Sequence, residues 1–268
     1  MAISVILGAI GLFAEGFPPF TSQNTISINQ EKSFDVKDIS TINIKTVSTN
    51  INIIPDDSQE IRVHYHGKSS PNSDAPTLEV TRKGSIFHVE IKYPKQNVNL
   101  FNLGFFNLKL DIYIPNDYSE NISITTVSAD TKLNNMSINK FEKKSVSGCL
   151  SLKNFDANTL SFSTTSGDAN IIDFSGNIDF NSVSGDIKCN FATYNYNINI
   201  NTTSGDAKLV LPEDSQFKFD FITVSGDLKS NFPMTFENNS KRNKKGNVGM
   251  GENKIYFKSV SGDLQIKN

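Results

Sequence analysis

The feature that most constrains the fold is a short phrase, Thr/Ser-(Val/Thr)-Ser-Gly-Asp, which occurs in eight variants along the chain. We use the central serine of each copy as a marker, and successive markers are 80, 19, 19, 18, 20, 21 and 36 residues apart. A steady step of about 20 residues is typical of a solenoid, in which each repeat is one coil that buries its apolar face by stacking on its neighbours. The markers are Ser48, Ser128, Ser147, Ser166, Ser184, Ser204, Ser225 and Ser261.

Apolar and polar residues alternate on both sides of each marker. Ile, Leu or Phe stands six and four residues before it, except for Lys143, and the position two before it is always Thr or Ser. Period two indicates one face of a strand, so we predict that these columns and the marker serine point inward, where the Thr and Ser hydroxyls form ladders between coils. The sequence does not explain Lys143.

The alternation shifts after the marker, because the next apolar positions stand three and five residues on. One residue is therefore inserted at Gly-Asp, which predicts a bend where glycine takes positive φ or lets two backbones approach closely. The phrase is complete in five coils, at Ser166, Gly167, Asp168, Ser184, Gly185, Asp186, Ser204, Gly205, Asp206, Ser225, Gly226, Asp227, Ser261, Gly262 and Asp263.

The 80-residue gap between the first two markers carries strand patterns of its own. Residues 60–66, 77–82, 85–93 and 108–114 alternate in hydrophobicity, and Lys83-Gly84 is typical of a hairpin turn. We predict an antiparallel cap, which a solenoid needs because an open end exposes strand edges. The fold class is thus all-β, a parallel β-solenoid with coils of about 20 residues, SGD bends and an antiparallel N-terminal cap.

The expected organisation has three parts. Residues 1–20 form a truncated signal or anchor segment, 21–120 hold the first repeat strand and the cap, and 121–268 hold the solenoid repeats, with an inserted loop at 237–254. The apolar run at 2–14 is too short for a comfortable membrane span and resembles the apolar part of an export signal, through which the chain would reach a membrane. A buried strand is the alternative.

Composition and cysteine spacing argue against a nucleic-acid partner and against a disulfide bond. A net charge of −2 and a pI near 5.9 argue against a nucleic-acid binder, whose domain is usually strongly basic. The two cysteines fall two coils apart, about 10 Å along the axis, which exceeds the reach of a disulfide. We therefore expect both to be free, with Cys149 facing outward and Cys189 inward.

The order of these elements carries a resemblance. A first repeat strand, IIPDDSQEIRVHYHG, a hairpin, LKLDIYIPNDY, the SGD repeats and a closing GNVGMGENKIYFKSVSGDLQI follow one another. This order resembles the bacterial putative-adhesin β-strand-repeat family, domain of unknown function 4097, over nearly everything after residue 30. The resemblance implies an exported or membrane-anchored β-solenoid at the bacterial envelope, with no established catalytic activity.

The Asp column is the sharpest candidate for ligand chemistry. Stacked carboxylates could bind Ca²⁺, which takes oxygen ligands, but Asp also routinely accepts local backbone N–H bonds in turns. We favour the second role, in which each Asp caps its own bend. The repeated serines form an architectural ladder and not a nucleophile, because no His occurs in any coil to act as base.

The three histidines all lie in the cap. His64 and His66 share one strand face and His88 lies on the polar face of another strand, so a Zn²⁺ site with three His ligands is one reading. We favour the alternative prediction that the three histidines face the solvent and bind no metal. The sequence therefore predicts no metal, no cofactor and no catalytic residue.

Two stretches lack the repeat pattern, and we predict that they contain the binding residues. An aromatic loop carries Phe101, Phe105 and Phe106, and a basic insertion carries Lys241, Arg242, Lys244 and Lys245. The aromatic loop could contact a partner or membrane, or cover the edge of the cap. The basic insertion could bind anionic polymers or lipid headgroups, although a solvated loop is the simpler expectation.

These observations predict a non-catalytic envelope module on the extracellular face of the bacterial membrane. Adhesion or envelope-stress sensing is the expected role, with a cell-wall polymer, anionic lipid or another envelope protein as partner. A β-helical polysaccharide-active enzyme and a purely structural spacer are the alternatives. Such an enzyme needs clustered acids in a cleft, whereas the coils offer a regular Asp row, so we do not expect an enzyme.

Overall fold

The computed structural model describes residues 25–70, 75–93 and 106–268, and every regular element in them is a β-strand. The N-terminal strands are β1 (Ile26–Asp35), β2 (Thr41–Lys45), β3 (Asn50–Asp56), β4 (Glu60–Ser69), β5 (Thr77–Lys83), β6 (Ile86–Lys92), β7 (Phe106–Pro115) and β8 (Asn121–Thr125). The central strands are β9 (Thr131–Lys144), β10 (Leu150–Ser163), β11 (Ala169–Asn181), β12 (Ile187–Phe191), β13 (Ile198–Asn201) and β14 (Ala207–Val210). The C-terminal strands are β15 (Phe217–Ile222), β16 (Leu228–Ser230), β17 (Thr235–Asn239), β18 (Asn243–Val248), β19 (Lys254–Lys258) and β20 (Leu264–Lys267).

The strands stack as parallel coils, which confirms the predicted solenoid. The strand before each marker serine pairs with its counterpart in the next coil, in the spatial order β2, β8, β9, β10, β11, β13, β19 and β15. The strand after each marker forms a second row, in the order β3, β9, β10, β11, β12, β14, β20 and β16. Strands β9, β10 and β11 are long enough to belong to both rows. Across the described ranges, no helix is long and apolar enough to cross a membrane.

The spatial order of the coils differs from their sequence order at both ends. The last coil, β19 and β20, lies between the coil of β13 and β14 and the coil of β15 and β16. The first coil, β2 and β3, lies between β8 and β9 on one side and β6 and β7 on the other. The marker step of 36 therefore reflects a chain that passes beyond the last coil position and then returns to fill it.

The cap is antiparallel within itself, as predicted, and parallel where it meets the solenoid. Strand β4 pairs antiparallel with β1 and β7, and β5 pairs antiparallel with β6 through the turn at Gly84. Strands β6 and β7 then continue the two parallel rows next to β2 and β3. Residues 1–20 lie outside the described residues, and the boundary at residue 120 stays a prediction.

The predicted loop at 237–254 is instead mostly a β-hairpin. Strands β17 and β18 pair antiparallel, and β18 also pairs antiparallel with β15. The amide of Thr223 donates to the carbonyl of Arg242 at 3.0 Å, which docks the turn end of the hairpin on the outermost coil. The insertion is thus a C-terminal cap, for the same reason that the N-terminal end needs one.

The marker serines do not point inward, and this prediction was wrong. All eight are exposed, together with the residue before each of them, whereas the next residue, usually glycine, is buried in all but one coil. The alternation therefore shifts at the Val-Ser step, earlier than we placed it. The marker serine and the residue before it thus form a corner whose side chains point outward.

The bend glycines serve close backbone approach, not positive φ. The glycines with positive φ in the described chain are Gly67, Gly84, Gly176 and Gly249, none of them in a bend. A Cβ built on Gly205 would lie 2.1 Å from the carbonyl oxygen of Gly185, well inside van der Waals contact. The coils at Gly185 and Gly205 therefore approach so closely that no side chain fits between them, whereas Thr49 and Ala129 occupy this position in the first two coils.

The inward hydroxyls act mainly within their own coil. The Gly167 amide donates to Oγ1 of Thr164 at 2.8 Å, and the Gly205 amide donates to Oγ1 of Thr202 at the same distance. A direct hydroxyl bond between coils occurs from Thr126 to Ser145, at 3.1 Å. The Thr/Ser column thus closes the bend locally in five of the eight described coils. Oγ1 of Thr164 also donates to the carbonyl of Val146 in the neighbouring coil, at 3.3 Å.

The core is a set of stacked apolar columns. Ile42, Ile44, Phe141 and Phe257 are fully buried, as the alternation predicts. The corner opposite the bend holds a buried aromatic stack, in which Phe174 lies 6.2 Å from Phe155 and 5.6 Å from Phe191 between ring centres. Both cysteines are free, Cys149 exposed and Cys189 buried, as expected.

Lys143 is fully buried in its apolar column. Its ammonium donates to the carbonyl of Ala129 at 3.2 Å and to that of Cys149 at 2.5 Å, and it lies 5.4 Å from the ring centre of Phe162. Burial lowers the pKa of this lysine to about 8, although the charges of Asp130 and Cys149 oppose the shift. The side chain therefore bridges two coils. In one of them Ala129 replaces the usual bend glycine, and in the other Cys149 replaces the usual bend aspartate.

We predict that Gly205→Ala destabilises the protein by about 1–3 kcal/mol, because the added methyl group forces two coil backbones apart. Urea unfolding of the variant and the parent measures this difference. Ser166→Ala, at an exposed position of the same corner, is the control and should leave the midpoint unchanged. An unchanged midpoint for Gly205→Ala would show that close approach does not hold the coils.

We also predict that stability rises between pH 7.5 and 9.5 because of Lys143. In the unfolded chain this lysine titrates near 10.5, and in the folded chain at about 8. The unfolded state therefore binds more protons between these values, so the unfolding free energy increases with pH, by about 2 kcal/mol between pH 7.5 and 9.5. Urea unfolding at several pH values should show this rise in the parent and lose it in Lys143→Met. The same slope in both proteins would contradict the assignment.

Candidate functional site

From Asp168 to Asp227 the Asp column is a continuous hydrogen-bonded row. The amide of Asp186 donates to Oδ1 of Asp168 at 2.9 Å, and the amide of Asp206 donates to Oδ1 of Asp186 at 2.8 Å. Asp263 and Asp227 extend the row with two further bonds of 2.8 Å. Each carboxylate thus accepts the amide of the next coil and not that of its own bend, which corrects our expectation.

The row begins with an amide side chain and is interrupted once. Oδ1 of Asn50 accepts the amide of Asp130 at 3.0 Å, and Oδ1 of Asp130 accepts that of Cys149 at 2.9 Å. Cys149 has no side-chain oxygen to offer the amide of Asp168. Asn50 shows that an uncharged oxygen fills the same structural role, so the negative charge of the other members is not needed for this bond.

A row of lysines runs parallel to the carboxylates, two residues further along each coil. Lys188 and Lys208 are register partners on β12 and β14, and Lys229 follows beyond Gln265. An open groove of about 650 Å³ lies along both rows. Nζ of Lys229 is 4.0 Å from Oδ2 of Asp263, so the two rows are in ion-pair contact at one end. The sequence analysis missed this row, although its members all stand four residues after a marker serine.

The Asp row is not arranged as a cation cage. In the ranges that the structure describes, the one group of three or more His, Cys, Asp and Glu side chains close enough to share a metal ion lies in the N-terminal cap and not in this row. The Oδ1 atoms of the row point at amides of the next coil, where a cation would be repelled. The structure therefore favours hydrogen bonding over Ca²⁺ binding for these carboxylates.

An exposed apolar ridge lies on the other side of the bend. The valines that precede the marker serines are between 43% and 54% exposed, although their neighbours in sequence are mostly buried or polar. They follow one another along the stack, except in two coils where Thr165 and Thr203 take this position, so the corner presents a line of methyl groups next to a line of serine hydroxyls. The members are Val47, Val127, Val146, Val183, Val260 and Val224.

The predicted basic binding residues are not one cluster. Lys244 lies on β18 with its Nζ 5.8 Å from the ring centre of Phe221. Lys245 forms an ion pair with Glu237 at 3.0 Å, which raises the pKa of this lysine. Lys241 and Arg242 are exposed at the hairpin turn. Two of the four cations are thus available to an anionic partner, and two serve the hairpin.

The predicted aromatic binding residues fall mostly on undescribed sequence. Phe101 and Phe105 lie outside the described residues, and Phe106 begins β7, where its backbone is the register partner of Ser69. The stretch therefore connects β6 to β7, the two strands that flank the first coil. Binding by these side chains stays a prediction.

The histidines separate into a pair and a single residue. His64 and His66 lie on β4 with their rings stacked at 4.2 Å, and Nε2 of His66 is 2.8 Å from Oδ2 of Asp111 on β7. His88 lies on β6 in the other row of strands, opposite Thr81 and Asn43. The structure therefore excludes the three-histidine alternative, because His88 lies away from the pair, and Asp111 is the group beside His66. The alternation of residues 108–114 predicts strand β7, but it does not predict that β7 pairs with β4.

The chain belongs to the Toastrack DUF4097 family, whose model matches residues 39–267. The match confirms the resemblance that the repeat order indicates and covers the regular coils, the C-terminal hairpin and the N-terminal cap except β1. A comparison with curated proteins found no match.

Several solved structures are similar to this chain in fold. A putative adhesin from Bacteroides fragilis is 15% identical, with a TM-score of 0.46, and the match covers 91% of this chain and 98% of that one. A putative lipid binding protein from Parabacteroides distasonis is 18% identical, with a TM-score of 0.45 and coverage of 89% and 96%. A putative cell adhesion protein from Clostridium sporogenes is 15% identical, with a TM-score of 0.40 and coverage of 90% and 99%.

We predict that Cys149→Asp stabilises the protein by about 1 kcal/mol, the usual net value of one hydrogen bond. The new carboxylate supplies the missing acceptor for the amide of Asp168 and joins the two halves of the row. Urea unfolding of this variant beside Cys149→Ala, which has no acceptor, measures the effect. Equal stability of the two variants would show that the row contributes nothing at this position.

Proposed function

We propose that this protein is a non-catalytic surface module of the bacterial envelope that binds a cell-wall polymer along the groove between the Asp and Lys rows. The observation that carries the proposal is the periodicity of the groove. Asp168, Asp186, Asp206 and Asp263 line one side and Lys188, Lys208 and Lys229 line the other. Parallel coils repeat about every 4.8 Å, so paired Asp and Lys charges recur along a straight line in three coils, those of Lys188, Lys208 and Lys229. Asn170 and Gln265 take the lysine position in the two other coils that line the groove.

A linear polymer fits such a surface better than a small molecule does. The groove is open, and its charged groups are spread along it instead of converging on one point. Each single exposed charge contact is weak, but a chain of repeating units can form many of them at once, and linked contacts add to the overall affinity. A polymer that carries amino, hydroxyl or carboxylate groups at intervals would match both rows.

The environment of the carboxylates supports a binding role rather than catalysis. Hydrolysis of a glycosidic bond uses one protonated and one ionised carboxyl group, which enzymes separate by giving them different surroundings. Here consecutive carboxylates share one environment, since the Oδ1 atoms of Asp168, Asp186 and Asp206 each accept a backbone amide at 2.8–2.9 Å. A repeated structure makes the groups alike, which suits recognition.

The envelope location of the proposal rests on the family resemblance and on the apolar segment at 2–14. Anionic lipid is the second candidate partner, and the exposed Lys241 and Arg242 at the hairpin turn favour it, because clustered cations are attracted to anionic membranes. An enzyme on the same groove and a purely structural spacer are the alternatives that the experiment must separate.

We predict that Asp186→Asn/Asp206→Asn weakens retention on isolated bacterial cell wall by about tenfold, since two exposed charge contacts are lost. Asparagine keeps the oxygen that accepts the next amide, as Asn50 does in the first coil, so the fold is preserved. Sedimentation of the full chain with purified cell wall measures bound and free protein.

The matched control is Asp156→Asn/Asp173→Asn, which makes the same change in charge at exposed positions outside the groove. It should bind like the parent. Equal loss in both double variants would mean that only net charge matters, and normal binding by the groove variant would reject the site. Release of soluble fragments by the parent would favour an enzyme. Retention on anionic vesicles that is lost in Lys241→Gln/Arg242→Gln, with cell-wall binding absent, would favour lipid.

A further inference from the structure

The outer face of the N-terminal cap brings together donor atoms from three strands. His64 and His66 are two residues apart on β4, so both side chains point to the same face, where their rings stack at 4.2 Å with an interplanar angle of 17°. Strand β7 runs antiparallel beside β4 and places Asp111 directly opposite His64. Oδ2 of Asp111 lies 2.8 Å from Nε2 of His66.

The other side of β4 adds a fourth donor atom, an amide oxygen. Asn29 on β1 is the register partner of His66, and its Oδ1 lies 2.7 Å from Nε2 of His64. One donor atom each from His64, His66 and Asp111 lies within 4.8 Å of the other two. The His66 and Asp111 side chains are 31% and 17% exposed, so the group is partly shielded and still open to an ion from solvent.

We propose that His64, His66 and Asp111 bind one divalent transition-metal ion of the Zn²⁺ class, with Asn29 Oδ1 or a water in the fourth position. Two imidazole nitrogens and a carboxylate oxygen are a common zinc ligand set, with bonds of about 2.0–2.2 Å. The ligand atoms of a tetrahedral site with such bonds lie about 3.3–3.5 Å apart. The observed spacing therefore needs only rotations of the side chains.

The backbone supports such a site because strand positions are fixed. All four residues project from adjacent strands of one sheet, and ligands on regular elements are held more precisely than ligands on loops. The metal-free protein keeps the two rings aligned through the hydrogen bonds to Asn29 and Asp111. Metal binding would replace these bonds with bonds to the ion.

This site is independent of the groove in the proposed function. The chain supplies a matched control in His88, the third histidine, which lies on β6 in the other row of strands. His88→Gln removes an imidazole without touching the site. His64→Gln and His66→Gln remove one ligand each, and Asp111→Ala removes the carboxylate.

The test is a titration of the full chain with Zn²⁺ at pH 7.5, by calorimetry and by competition with a chromophoric chelator, followed by Co²⁺ absorption spectra. We expect one ion per chain. Each of the three ligand variants should weaken binding by at least about tenfold, since even loss of a supporting outer-sphere partner costs about 10- to 100-fold. His88→Gln should bind like the parent, and bound Co²⁺ should show the intense visible bands of four-coordination.

The same proteins provide a second readout in thermal unfolding, because an ion that binds only the folded state raises the midpoint. Zn²⁺ should raise the midpoint of the parent and of His88→Gln, and not that of His66→Gln or Asp111→Ala. The proposal is overturned if the parent shows no saturable binding at micromolar Zn²⁺. It is equally overturned if His88→Gln loses as much affinity as His66→Gln, since binding would then follow the number of histidines and not this geometry.

Discussion

The close approach of coil backbones at the bend is the constraint on which the rest of the structure depends. A Cβ at Gly185, Gly205 or Gly262 would lie 2.1–2.2 Å from a carbonyl oxygen of the next coil. Where the backbones meet there, the amide of Asp206 reaches the carboxylate of Asp186, and the hydroxyl of Thr202 closes onto the amide of Gly205. The columns that flank the bend follow from the same spacing, because identical positions must then stack directly.

Periodicity explains why so much of the fold could be predicted from the sequence. The inward columns around Ile42 and Phe257, the strands of the cap and the hairpin at Gly84 all follow from alternation and turn chemistry. The direction of the marker serine could not be predicted in this way. A parity shift shows that one residue is extra but not which one, and the shift at Val-Ser gives the same apolar spacing on both sides as a shift at Gly-Asp.

The spatial order of the first and last coils could not be predicted from the sequence either, for a different reason. Repeats that are nearly identical can stack in any order, so the sequence of the last coil carries no signal for its place between β13 and β15. The physical advantage is clear in the structure. Both edges of the first and last coils in sequence are paired. In the outermost coil, β18 covers the outer edge of β15, whereas β16 pairs with β20 alone among the described strands.

The candidate sites also differ in how well the sequence predicts them, because one lies in the regular coils and the other in the N-terminal cap. The lysine row could have been found from its fixed offset to the marker, because the repeat that builds the core also aligns the exterior. Asp111 beside His66 could not, since the two lie 45 residues apart and meet only through the antiparallel pairing of β4 with β7. A solenoid therefore offers two kinds of chemistry. Its coils present the same weak contact many times, and its caps, where each residue has unique neighbours, can gather unlike ligands at one point.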